Sequence, residues 1–458
     1  MGKKKQILVN AFNMNSVGHI NHGLWTHPRD RSPEFDTLQY WIDLVQLLER
    51  GLFDGLFIAD IVGVYDVYQR SVELTLKESV QLPVNDPLVL VSAMAAATRH
   101  LGFGITVNLS YEPPYLFARR MSTLDHLSGG RVAWNIVTGY LDSGARAMGL
   151  TEQIEHDRRY EQADEYLELL YKLWEGSWED GAVLKDRERR VFTDPARVHP
   201  VRHHGEFFRL EGYHLCAPSP QRTPVLYQAG TSERGLRFAG RHAECVFINA
   251  QNHEAARQQV AQIRAHAKEA GRDPASVKIV MGLNVVVAPT EAEARDKYLE
   301  YRRYANPEAG LAHFSSSVGV DFSRFDLDEP IQIGNSNGIQ SVAKTFSGWT
   351  KRALLEQHAL GGRYTTVIGS PSQVADELES WVVETGVDGF NLTRTVTPES
   401  YADFIDLVVP ELQDRGSYKT RYAEGTLREK LFSASPRLPD SHPAAAWRTP
   451  APRRAAVG

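Results

Sequence analysis

Between Leu124 and Trp174 the chain carries polar residues spaced to hold a planar, hydrogen-bonding ligand. Asn135 lies inside the apolar run 132–138, which reads as a buried strand that Thr138 closes. The turn Ser128-Gly129-Gly130-Arg131 ends the preceding helix, since paired glycines accept positive φ. His156 and Tyr160 stand four apart in a stretch whose apolar positions recur at Tyr160, Ala163, Tyr166, Leu167, Leu170 and Trp174. A helix there sets the imidazole and the phenol on one face. A second group is Gly230-Thr231-Ser232, between an apolar run and a helical stretch. Its N–H groups and hydroxyls suit a phosphate, with Arg234 adding charge; the alternative is that Ser232 only caps the helix. A third group is His19, His22, Trp25 and His27 in the polar stretch 13–31, which reads as a site-lining loop or as a solvated one.

The elements that must position these groups alternate. Apolar runs at 6–12, 53–60, 101–110, 132–138, 223–229, 243–249, 277–288 and 386–393 read as strands, each followed by a helical stretch. Near-continuous apolar strands alternating with helices predict a parallel sheet with helices outside. Eight such units predict an α/β fold, a (β/α)8 TIM barrel, with a doubly wound open sheet as the alternative. In a barrel the strand ends share one rim, which gathers Phe12, Asp60, Thr106, Asn108, Asn135, Thr138, Gly230 and Asn249. Asp60 there reads as a turn cap or as a ligand acceptor. Two interruptions, 176–222 (hairpin-like) and 306–363, read as lids or binding loops. The predicted organisation is a single domain over 1–432 and a Pro-, Ala- and Arg-rich tail over 433–458, disordered or packed on a partner subunit.

Composition narrows the function. A net charge of -6 over 458 residues argues against nucleic acid as a partner. No apolar run approaches the about 20 residues of a membrane span, and MGKKKQILVNAF turns polar too early for a signal peptide. Two cysteines, Cys216 and Cys245, exclude a disulfide framework and read as free buried thiols of a cytoplasmic protein. There is no GxSxG elbow, Walker loop, HExxH or strand-linked GxGxxG, so an internal NAD(P) site of the Rossmann kind is not expected. His199, His203 and His204 lack a carboxylate cluster nearby in sequence, and no metal is expected.

The stretches ERGLFDGLFIAD, LDHLSGGRVAWNIVT, EHDRRYEQADEYLELLYKLWEGSWED, SPQRTPVLYQAGTSERGLRFA and GVDGFNL together resemble the bacterial-luciferase-like flavin-dependent monooxygenases. The resemblance is to the branch of the nitrilotriacetate and dibenzothiophene-sulfone monooxygenases, and within it to the dimethylsulfide monooxygenases. It implies a TIM barrel and FMN, taken as FMNH2 from a separate NAD(P)H:flavin reductase, with O2 as co-substrate. It implies a small-molecule substrate, a homodimer or homotetramer, and cleavage of a C–S or C–N bond. By motif match Asp60, Thr106, Asn135, His156 and Tyr160 look like flavin contacts, joined at the rim by Asn108, and Ala229, Gly230, Thr231 and Ser232 look like the phosphate loop. His19 and His22 are the catalytic candidates, as acid/base or hydrogen-bond donors. Phe12, Phe57 and Phe247 would build an apolar substrate wall with Trp25 beside it. A histidine of the sulfone-oxidising relatives appears here as Ser317, which argues against an aryl sulfone. The alternatives are a relative acting on riboflavin or an amino-polycarboxylate, an F420-dependent oxidoreductase, and a non-catalytic flavin-binding barrel.

Overall fold

The apolar runs do become parallel strands in the computed structural model, which describes residues 4–230, 232–332, 346, 348–362 and 364–448. They are β1 Leu8–Met14, β2 Gly55–Ala59, β3 Gly102–Asn108, β4 Val132–Val137, β5 Val225–Gln228, β6 Cys245–Ile248, β7 Lys278–Val287, β8 Thr365–Gly369 and β9 Gly389–Thr393. Strands β1 to β7 pair in sequence order, β9 pairs with β7, and the ring closes where Leu8–Phe12 of β1 lie beside Gly389–Thr393 of β9. This is the closed eight-stranded (β/α)8 barrel expected. β3 and most of β4 are buried, as strands covered on both faces must be.

β8 is extra. It pairs with residues 283–287 of β7, on the opposite edge from β9, which takes 280–284. No sequence period marks this strand after the second interruption. The run is only five residues, and three of them are part-exposed, so its hydrophobic signal is weak. The helix Pro371–Thr385 that follows begins with a capping box of Ser370 and Gln373.

The N-terminal end of the barrel is plugged. Helix Leu427–Phe432 sends Leu427 and Leu431 into the interior cluster that includes Phe12, Phe57, Tyr227 and Phe247. Arg428 beside them is buried and bonds both oxygens of Glu244, at 2.7 and 2.9 Å. It also donates to the carbonyls of Gln221, Thr223 and Pro436. The tail expectation changes here. Residues 433–448 fold onto this chain's own barrel, with Arg437 and Arg448 both bonded to buried Glu175 and His442 Nε2 at 2.9 Å from the carbonyl of His242. Its polar composition hid a segment held by ion pairs rather than by apolar periodicity. Cys245 is buried as expected, but Cys216 is part-exposed. Among the described residues no helix is long and apolar enough to cross a membrane.

The first interruption forms two antiparallel hairpins, Val183–Asp186 with Val191–Thr193 and Val201–His204 with Arg209–Gly212. The second contains helix Pro307–Val318, capped by Asn306 and ended by Gly319 in the left-handed region at φ 73°.

Candidate active site

Strands β3 and β4 run in register, so Thr106 lies beside Asn135 and both side chains point inward. Asn135 Nδ2 donates to Thr106 Oγ1 at 2.9 Å. Asn135 Oδ1 is buried and has no hydrogen-bond partner among the described residues. These two residues face a cavity of about 220 Å³ at the C-terminal ends of the strands.

The next part of the wall joins β5 to helix His156–Tyr171. Ser232 caps helix Glu233–His242, its Oγ accepting from Gly235 N–H at 3.1 Å, and the same Oγ lies 3.2 Å from His156 Nε2. Ser232 is therefore a helix cap that also lines the cavity. Gln228 Nε2 donates to Tyr160 Oη at 3.5 Å, while Gln228 Oε1 is buried without a partner among the described residues. A Cβ at Gly230 would fall 2.4 Å from Tyr160 Oη and 2.3 Å from Gln228 Nε2, so the loop passes too close for a side chain. His156 Nδ1 is held by Asp157 at 2.7 Å. Arg159 and Gln228 line this wall and were not anticipated. An arginine next to Tyr160, on the turn that begins at His156, was the signal available for the first; nothing marked the second.

Aromatic rings line the cavity as well. Phe12, Phe57 and Phe247 meet edge to face at 5.0 to 5.8 Å between centroids, and His19 stands edge-on to Phe12 at 4.6 Å. The second interruption adds His313, whose ring lies 4.8 Å from that of Tyr65. Tyr65 Oη donates to Gln81 at 2.5 Å and lies 3.4 Å from Tyr140 Oη. His313, Tyr65, Gln81 and Tyr140 all line the cavity and were not anticipated, since they come from connections without periodicity.

Asp60 follows β2 and lines the cavity, where burial pushes its carboxyl up to about 7. Ala229 and Gly230 also line it, while Thr231 lies outside the described residues. Other predicted residues stand away from it, Asn249 and Arg234 among them. Asn108 Oδ1 accepts from Ser110 N–H in the turn after β3. Trp25 is largely at the surface, in a short helical turn, Leu24–Thr26. Ser317 is buried one turn beyond His313 and donates to its carbonyl at 3.0 Å. His22 is buried behind the cavity with Nε2 3.1 Å from His313 Nδ1; burial, then His358 and Arg394, lower its pKa to about 3.

A profile of the luciferase-like monooxygenases matches residues 19–389, most of the chain. The chain belongs to the luciferase-like monooxygenase family. This luciferase-like protein is 49% identical over 452 residues to the dimethyl-sulfide monooxygenase of Hyphomicrobium sulfonivorans, covering 97% of this chain and 94% of that one. It is 49% identical over 446 residues to the long-chain alkane monooxygenase of Geobacillus thermodenitrificans, covering 97% and 98%. A crystal structure of riboflavin lyase with modified FMN and riboflavin superposes with a TM-score of 0.93 at 38% identity, covering 97% of this chain and all of that one. The protein is accordingly a flavin-dependent monooxygenase by family. Its cavity suits a flavin: the unpartnered oxygens of Asn135 and Gln228 can accept from ring N–H groups, and the glycine at 230 lets the loop before the Ser232 cap pack against Tyr160 and Gln228 at the cavity wall.

Proposed function

We propose that this protein is an FMNH2- and O2-dependent monooxygenase that oxidises a small organosulfur compound and cleaves a C–S bond. The observation that carries the reading is one cavity with two unlike kinds of lining. Asn135 and Gln228, each with a buried oxygen unpartnered among the described residues, line it together with a Phe12–Phe57–Phe247 cluster, His19 and His313. FMN, when bound in reduced form, supplies the electrons for O2 activation. Asn135, Thr106, His156, Tyr160 and Asp60 would hold the flavin, and Ala229 to Ser232 its phosphate. The phenylalanines exclude water and suit a thioether, since sulfur makes favourable contacts at aromatic edges. His19 and His313 would donate hydrogen bonds in the substrate half.

In the proposed reaction one oxygen atom of O2 enters a C–H bond next to sulfur, and the other leaves as water with two electrons and two protons. The hydroxylated carbon expels a thiol and becomes an aldehyde. The missing dinucleotide fingerprint supports a separate NAD(P)H:flavin reductase as the electron source. Reduced flavin and free thiols suit a cytoplasmic setting.

The test is turnover with FMN, NADH and a generic flavin reductase under ¹⁸O₂. Small sulfides, sulfones, linear alkanes, amino-polycarboxylates and riboflavin are offered, with products read by mass spectrometry. A thiol and a heavy-oxygen aldehyde from a small sulfide are expected. Label in an alkanol or in a riboflavin fragment, with none from any sulfide, would overturn the substrate assignment.

A further inference from the structure

His22 is 1% exposed, stands outside the cavity, and makes two contacts to one element. Its Nε2 lies 3.1 Å from His313 Nδ1. Its carbonyl accepts from Asn306 N–H at 2.9 Å, at the cap of the helix that carries His313. The rings meet edge to face at 5.2 Å between centroids. One proton lies between the facing nitrogens, and either ring could own it. The other nitrogen of His22 decides which. Nδ1 is buried and has no hydrogen-bond partner among the described residues. A buried N–H without an acceptor is rarer than a buried acceptor left bare. The proton of His22 therefore belongs on Nε2, where it has a partner, and His22 donates to His313. With Nδ1 of His313 accepting, the proton of a neutral His313 must be on Nε2, the nitrogen on the far side of its ring.

We propose that His22 is a positioning residue that holds His313 in the Nε2–H tautomer, so that the second insertion presents an N–H donor to the substrate half of the cavity. The inference rests on the functional reading above for the identity of that half, but the tautomer itself does not depend on it. The donor is of the kind that orients a substrate oxygen or sulfur, or that gives a proton to a leaving thiolate.

The test separates the two. Full-length protein labelled with ¹⁵N in its histidine rings is examined by NMR, and the His313 signals are assigned by their loss in His313→Gln. In the wild type, Nε2 of His313 is expected at the protonated shift and Nδ1 at the unprotonated shift. In His22→Phe the two nitrogens should move toward exchange-averaged values. In His22→Gln, whose amide N–H can replace the donor, they should return toward the wild type. A wild-type His313 protonated at Nδ1, or a His22→Phe spectrum identical to the wild type, overturns the proposal. Should His22→Phe fail to fold, the wild-type spectrum alone decides. On a substrate that is turned over, kcat should fall about tenfold in His22→Phe and be largely restored in His22→Gln, with KM little changed. Equal losses in both variants would mark a merely structural role and overturn it. The expected tautomer in a protein that oxidises nothing in the panel would support the positioning of His313 and count against the functional reading alone.

Discussion

Two interruptions of the barrel, 176–222 and 306–363, read alike in sequence as lids or binding loops, although only the first is hairpin-like. They do different work. No residue of 176–222 lines the cavity. Its second hairpin is pinned to the outside of helix His156–Tyr171 by Glu165, which accepts from the N–H groups of Glu206, Phe207 and Phe208 and lies 3.1 Å from His203 Nε2. The second interruption lies across the rim. It bonds to the connection after β2 through Tyr68 to Glu308 at 2.8 Å and Gln69 N–H to Asp321 at 3.0 Å, and to the connection after β1 through His22. It thereby brings His313 to the cavity. The lesson is that an insertion contributes to a site through where its anchors are, not through its composition.

That contrast can be broken most directly at His313. His313→Ala should lower kcat/KM by about 100-fold, the usual scale for a lost donor or acid, while the melting temperature stays near that of the wild type. Parallel losses of melting temperature and turnover would make the second insertion a scaffold like the first. On the flavin side, Asn135→Leu should weaken FMNH2 binding by about 1–3 kcal/mol, the scale of a lost buried hydrogen bond, as read by anaerobic titration. At the outer hairpin, Glu165→Ala should cost about 1–2 kcal/mol of stability, because three backbone N–H groups lose their acceptor. Turnover should be unchanged. A drop in turnover at constant stability would bring the first insertion into the site.

The cavity and the helix that anchors the outer hairpin should also titrate with opposite signs. Burial raises Asp60 to about 7, so the folded chain binds a proton that the unfolded carboxyl, near about 4, has released. Its contribution is full below pH of about 4 and is lost as pH rises through about 7, and Asp60→Asn should remove that loss. Burial opposes ionisation of Glu165 too, but hydrogen bonds from His203 and from the Phe207 and Phe208 N–H groups outweigh it and hold the carboxyl below its ordinary value. The Glu165 contribution is therefore present at neutral pH and lost as pH falls below about 4. Melting curves from pH 2 to 8 on both variants check the pair of signs. The smallest effect is expected at the exposed Arg202–Glu211 pair of the hairpin, where Arg202→Ala should change stability by less than about 0.5 kcal/mol.

Local sequence pattern was enough for the barrel and for much of the polar lining of its cavity. Strand periodicity and strand-ending glycines are local signals, and Asn135, His156, Tyr160 and Ser232 sit at fixed offsets from them, so the local reading carried their placement. The end of β2 put Asp60 on the rim but left it between a turn cap and a ligand acceptor. The tertiary structure alone decided the rest. His313 reaches the rim because Asn306 bonds to the His22 carbonyl, and those two residues are far apart in the chain. His22 and Ser317, read as site residues, pack behind His313, because only the packed neighbours determine which side of a loop or helix faces the cavity. The tail from 433 to 448 looked free because Arg437, Arg448 and His442 hold it through partners at Glu175 and His242. Such contacts join residues of unrelated sequence position and leave no period to read; only closure of the barrel brings their partners together.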